Sequence, residues 1–194
     1  IKLNKSIGVI MSTDNPIFLR KSSVNFNSDS LSKNEIESIV KASMWAPSSR
    51  NGQPWRIIGI TKDSDNFKKI ISCLSSGNQI WAKNSGLVLI FSTKKIEDEF
   101  NPKTFLDIGF SGQNAMIEAT KLGLETHPIG GWDEESVKSV AKIPQESKVA
   151  FILIVGKPGK ETEISEELLS SHKKTRERNA VSEHFNYDQW GEKF

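Results

Sequence analysis

The chain of 194 residues has one cysteine, Cys73, so it cannot build an intrachain disulfide framework, and a reducing, cytoplasmic setting is expected. No apolar run approaches the roughly 18 residues needed to cross a bilayer, so no membrane association is expected. The formal net charge of +2 is too small an excess to argue for nucleic acid or an anionic surface as partner. The opening residues IKLNKSIGVI have neither an apolar core nor a cleavage site, so no signal peptide is expected. Residues 1–15 read as an N-terminal extension, with Met11 as an alternative natural start. There is no GxGxxG, P-loop, HExxH, Cys/His metal spacing or GxSxG elbow, and no internal repeat of roughly 20 to 50 residues. Metal-dependent, triad and Rossmann chemistries thus lose their usual sequence support. No metal site is expected.

What is present suits one domain with a substantial core: 36% hydrophobic and 26% charged residues. Ser32 followed by Glu35 forms a capping box, with Leu31 and Ile36 as its hydrophobic staple. Ile36, Ile39, Val40 and Met44 then fall on one helical face, and Pro47 ends the helix. Residues 56–60 read as a central strand. Residues 64–75 return to helical period, with Phe67, Ile70, Ile71 and Leu74 on one stripe and Cys73 beside it as a packing residue. Residues 86–91 and 148–155 are apolar β runs, hence core strands. The longest helical pattern, residues 102–122, puts Phe105, Ile108, Gly112, Ala115, Met116, Ala119 and Leu122 on one face. Its small residues, Gly109, Gly112, Ala115 and Ala119, suggest close approach by another backbone, and a homodimer interface is expected there. Asp133 reads as the cap of a helix over 134–143 whose inward residues are Val137, Val140 and Ala141. The charged interval 94–103, with Phe100 inside it, reads as a site cover or a solvated loop.

Four polar clusters stand out. In Ala46–Trp55 (APSSRNGQPW) two prolines bracket Ser48, Ser49, Asn51 and Gln53, whose neutral donors and acceptors suit a flat polar heterocycle. The same composition also serves an ordinary turn-rich connection. Arg20, Lys21 and Ser22 can grip a phosphate, by a planar fork, a point charge and a hydroxyl. Gly130 and Gly131 allow exposed amides to face a ligand. A basic run, Lys173 to Arg178, follows an acidic stretch and by charge alone is a solvated face. His127, before a proline and with no carboxylate or cysteine neighbour, reads as structural rather than as a proton donor.

Taken together these segments resemble the nitroreductase family of flavoproteins. APSSRNGQPW is similar to its PSxxNxQPW signature, and Arg20, Lys21, Ser22 and Phe26 match its R-[RK]-S-x-x-x-F opening. Asp107–Gly109 with Gln113–Asn114 resembles its DxG…QN helix, and GLETHPIGG resembles its GLxxxPIxG stretch. Lys174 and Arg176 fit its C-terminal K-x-R element, a frame that Lys173 or Arg178 would also fit after a slip. Where members often carry a second basic residue this chain has Val24. The resemblance covers about residues 16–191 and implies a single FMN-binding domain over 16–194. Strands alternating with helices would alone favour a parallel sheet. The family implies instead an α+β sandwich, a mixed, mostly antiparallel sheet flanked by helices, in a homodimer. It further implies FMN with its phosphate on Arg20, Ser22, Lys174 and Arg176, Lys21 beside them, and its ring against Ser49, Asn51 and Gln53. The Gly130–Gly131 backbone would lie near flavin N5, and Asn78 or Gln79 nearby. Hydride would pass from NAD(P)H through N5 to a nitroaromatic or quinone by a ping-pong mechanism, with no protein nucleophile. Dehalogenation, azo reduction and a flavin-binding sensor or storage protein are the alternatives the same resemblance allows.

Overall fold

A computed structural model of the chain describes residues 14–94 and 101–192. The interval around Phe100, and all of the N-terminal extension except Asp14 and Asn15, lie outside the described residues. The chain divides after His172 into two compact units. The described part of the larger runs in the order α1 (Pro16–Leu19), α2 (Lys33–Met44), β1 (Trp55–Thr61), α3 (Phe67–Ser72), α4 (Ser76–Ala82), β2 (Leu87–Thr93), α5 (Pro102–Lys121), β3 (Glu125–Ile129), α6 (Glu134–Ala141) and β4 (Val149–Gly156). Helix α7 (Glu166–Lys173) follows β4.

The four strands form one open sheet in the order β1-β2-β4-β3, and every neighbouring pair is antiparallel. The only parallel pairing among the described residues is an isolated bridge between Ser22 and Thr126. β2 is buried along its whole length, and its side chains alternate between two cores. Leu87, Leu89 and Phe91 join Leu153, Val155 and residues of α2 and α5 on one face. Val88 and Ile90 join Ile152, Ile154 and residues of α3, α4 and α6 on the other. In β4 the register shifts opposite Phe91 and Ser92, so that Ala150 and Phe151 both turn to the α5 face. This is a β-bulge, one extra residue that re-aims the side chains around it.

Sequence patterning sets most of these boundaries. The Ser32 hydroxyl accepts the Glu35 N–H at 3.3 Å while the Glu35 carboxylate accepts the Ser32 N–H at 2.6 Å, completing the capping box of α2. The Ser32 hydroxyl, which also donates to the Glu35 carboxylate at 2.6 Å, and the Ser32 N–H hold that carboxyl below its ordinary pKa. Pro102 begins α5 at a position where its missing N–H costs nothing, and Asp133 caps α6 through the Ser136 N–H at 2.6 Å. α2 and α5 are also tied by polar contacts. Ser43 Oγ donates to the Ser111 carbonyl at 3.0 Å, and Asn114 donates to the Ala42 carbonyl at 3.2 Å.

Several expectations are corrected. β1 is an edge strand, not a central one, since a short apolar run does not reveal how many neighbours it has. Residues 76–82, just before β2, form helix α4. Met44 is exposed rather than part of the inward face of α2. Lys138 is buried in α6, its ammonium satisfied by Glu134 at 3.2 Å and the Gln145 carbonyl at 3.1 Å. The small residues of α5 do not form a free face. Gly112, Ala115 and Ala119 are buried in the chain's own core, and only Gly109 is exposed.

In the second unit, whose described part is Lys173–Glu192, one short helix (α8, Val181–His184) precedes an edge-to-face contact of Phe185 and Tyr187, centroids 5.2 Å apart. Trp190 is 98% exposed.

A Cβ added at Gly112 would run into the Phe151 ring, so α5 can seat on the sheet only with glycine there. Gly112→Ala is expected to lower stability by about 1–3 kcal/mol, the usual cost of overpacking, and Phe151→Leu in the same chain to restore part of it. Urea denaturation of the two single variants and the double variant checks this; simple additivity would show that the ring is not the obstacle.

Candidate functional site

β3 collects most of the singled-out residues. The segment after α1 runs along it, making one contact at each of three successive β3 positions. Lys21 pairs with Glu125 at 2.9 Å, the Ser23 N–H donates to the Thr126 carbonyl at 3.0 Å, and His127 Nδ1 meets the Ser23 carbonyl at 2.9 Å. Arg20 is close enough to His127 to repel its protonated form. Val24 packs against the core, so no cation stands at the position where this chain departs from the family pattern.

Past Ile129 the strand runs into Gly130 and Gly131. Among the described residues neither glycine N–H has an acceptor. A Cβ at Gly130 would meet nothing within 4 Å, whereas one at Gly131 would stand 3.1 Å from Ser75 Oγ and 3.8 Å from Asn78 Nδ2. Asn78 therefore lies beside the glycines. Gln79 turns away, donating to the carbonyls of Ser72 at 3.2 Å and Leu74 at 2.6 Å to brace the turn between α3 and α4. Arg20, Lys21, Ser22, Asn78, Gly130 and Gly131 are thus brought together along β3 and its exit.

The amide-rich loop is elsewhere. Ser49, Asn51 and Gln53 lead into β1, at the opposite edge of the sheet, three strand spacings or about 14 Å away. The loop is held in an unusual shape, with Arg50, Asn51 and Gln53 at positive φ (51°, 55° and 45°). Non-glycine residues rarely adopt that region, and such strain persists only where surroundings enforce it. Here the Ser49 N–H donates to the buried Asp107 carboxylate of α5 at 3.0 Å, the Gln53 N–H to Ser48 Oγ at 3.0 Å, and the Gln53 amide to Asn51 Oδ1 at 3.2 Å. Lys174 and Arg176 belong to the second unit and are exposed.

Three contributors escaped the sequence reading: Glu125, Trp81 and the bracing role of Asp107. A lone carboxylate or buried tryptophan carries no local pattern that announces its partner. Cys73 is buried, and burial with nearby Asp133 raises its thiol pKa, as suits a packing residue. His127 stacks on Trp81, centroids 4.4 Å apart at 23°. Burial pushes the imidazole pKa below its usual value; the bond to Ser23 opposes this, and Arg20 adds to it. Since the carbonyl can only accept, the neutral ring carries its proton on Nδ1.

This shift has a consequence for stability. The unfolded chain takes up the histidine proton near pH 6.5, before the folded protein does. Stability is expected to fall as pH drops below about 6.5, with the loss ending once pH is below the folded pKa. Urea midpoints between about pH 5 and 7.5, with NMR titration of the ring protons, test this against His127→Phe, which should lose that part of the slope. A His127 midpoint above 6.5 would reverse the sign and refute it.

Comparison with known proteins places this arrangement. The nitroreductase family model matches residues 17–76 and 73–157, well over half of the chain. A Bacillus subtilis protein named "Putative NAD(P)H nitroreductase YdgI" is 28% identical over 170 residues, covering 68% of this chain and 80% of its own length. An Archaeoglobus fulgidus protein named "Putative NADH dehydrogenase/NAD(P)H nitroreductase" is 25% identical over 154 residues, covering 77% of this chain and 87% of its own. Among solved structures, one described as an oxidoreductase containing FMN aligns with a TM-score of 0.81 at 25% identity, over 92% of this chain and 93% of that one. Matched by that family model over well over half of its length, and with an antiparallel sheet between helical layers, the chain belongs to the nitroreductase family.

Proposed function

We propose that the protein is an FMN-dependent oxidoreductase that uses NAD(P)H to reduce an electron-poor small molecule such as a nitroaromatic or a quinone. The observation that carries this reading is the exit of β3. Two glycine N–H groups without acceptors among the described residues stand beside the Asn78 amide, past the end of the strand along which the segment of Arg20 and Ser22 runs. That donor set fits a flavin with a single phosphate. Arg20 and Ser22 bind the phosphate by charge-assisted hydrogen bonds. Lys21, paired with Glu125, serves to anchor the segment. Asn78 and the Gly130–Gly131 backbone orient the ring, whose polar edge and N5 they can meet with N–H donors. Bound there, FMN supplies hydride acceptance and donation at N5, in the two halves of a ping-pong cycle. The protein's own part is positioning and electrostatic stabilisation.

The separation of the two clusters bears on assembly. We propose a homodimer in which Ser49, Asn51 and Gln53 of the partner copy complete each ring site. The exposed apolar side chains support an interface on the α1, α2 and α5 side. Ile17, Leu19, Met44, Leu106 and Phe110 are all exposed there, and Trp45 is 87% exposed. A permanent interface of this kind buries about 2,000 Å² or more.

The function is tested by anaerobic mixing with NADPH or NADH. The bound flavin should bleach, recover on adding a nitroaromatic or quinone, and prove to be FMN when released. Absence of flavin binding, or recovery of FAD, would overturn the reading. Arg20→Ala should weaken FMN about tenfold to a hundredfold and riboflavin little.

The shared site is tested by mixing Arg20→Ala chains with Asn51→Ala chains, neither of which binds flavin well alone. Random re-assortment into dimers should restore about one quarter of the flavin sites, since one site of each mixed dimer is intact. No recovery on confirmed subunit exchange, or a flavin-loaded monomer on sedimentation, would overturn it.

A further inference from the structure

We propose that His127 is a positioning residue for the phosphate-binding segment, its Nδ1–H fixing the Ser23 carbonyl and its ring fixed by Trp81. The inference rests on the proposed role of Arg20 and Ser22 in holding the flavin phosphate.

Residues 21–24, after α1, belong to no helix, so their shape depends on what they are tied to. Ser23 is the tie. It is 1% exposed, and both halves of its backbone are held by β3, the N–H by the Thr126 carbonyl and the C=O by His127. The first bond is main chain to main chain and any sequence could make it. The second requires a side chain with a donor at the Nδ1 position of residue 127, and of the two backbone ties to β3 it is the one that sequence controls.

The ring is itself held in place. Trp81 is 4% exposed, lies 4.4 Å from His127 in a stacked arrangement, and has Phe26 on the same strip at 6.1 Å. Phe26 belongs to the very segment that His127 holds, three residues beyond Ser23. Trp81 also follows Asn78 by three residues on α4, so the two share a helix face. One stack of rings therefore ties the segment of Arg20 and Ser22 to the helix carrying Asn78. Burial and the nearby Arg20 keep the imidazole neutral near pH 7, so its contribution is geometric and does not add charge to the cradle.

His127→Phe retains a ring for Trp81 and removes the donor. His127→Asn removes the ring but places an amide nitrogen close to the Nδ1 position, whereas the His127→Gln amide falls near Nε2. Apparent affinities for FMN and riboflavin are measured by fluorescence quenching at fixed salt for each variant, for Arg20→Ala and for the Arg20→Ala/His127→Phe double variant. His127→Phe and His127→Gln should weaken FMN about three- to tenfold with riboflavin nearly unchanged, and His127→Asn should recover most of that loss. The loss in the double variant should be smaller than the two single losses combined, because His127 acts through the same cradle. Equal losses of FMN and riboflavin, or losses that add in the double variant, would overturn the proposal and leave His127 a residue of general fold support. Should His127→Phe fail to fold, the comparison of His127→Asn with His127→Gln decides by the same outcomes. The two readings separate cleanly. If Arg20→Ala loses riboflavin as severely as FMN, the phosphate cradle itself is wrong. If Arg20→Ala discriminates and the His127 variants do not, only the positioning role falls.

Discussion

The antiparallel pairing of β2 with β4 is the constraint from which the rest of the molecule follows. Both strands are buried on both faces, so each must be covered by helices above and below. That requirement produces the two helical layers and leaves no room for a ligand in the middle of the sheet. Polar backbone and flexible side chains are left at the edges and ends. The candidate residues accordingly appear where β3 forms one edge and where the loop before β1 reaches the other.

How much of this could be read from the sequence depends on how local each cause is. The capping box at Ser32, the proline start of α5 and the Asp133 cap act within one turn of helix, and their residues are visible as short patterns. The alternating and continuous apolar runs likewise announced β2 and β4. β3 was not legible: it is five residues long and contains Pro128, which argues against a strand. It tolerates that proline because it lies at an edge, a fact of neighbours rather than of sequence. The same limit explains β1, whose apolar run says nothing of its place in the order. It also explains Gly112 of α5, which faces the Phe151 ring. The family resemblance supplied strand direction, which periodicity alone would have assigned wrongly.

The site shows the same division. Arg20, Ser22, Asn78, Gly130 and Gly131 were legible as residue types, and their meeting along β3 is a product of topology. Lys21 was legible as a cation but not as the partner of Glu125, 104 positions away in the chain. The strain in the loop at Arg50 and Gln53 had no sequence signal, since beyond glycine positive φ selects mainly residues such as Asn51. It becomes intelligible once Asp107 is seen to hold the Ser49 N–H from α5.

The two sheet edges are treated unequally. The outer side of β3 is occupied by the Ser22–Ser23 backbone and interrupted by Pro128, whereas among the described residues no strand pairs with the outer side of β1. An open strand edge is a template for adding another chain, and two open edges on one sheet would permit growth without end. With only one edge available, strand-to-strand association between copies can use β1 against β1 alone. Such a contact consumes the open edge of both molecules at once and closes after a single addition. The blocked edge at β3 thus acts as a chain terminator, so that any edge-wise pairing of this sheet stops at two copies.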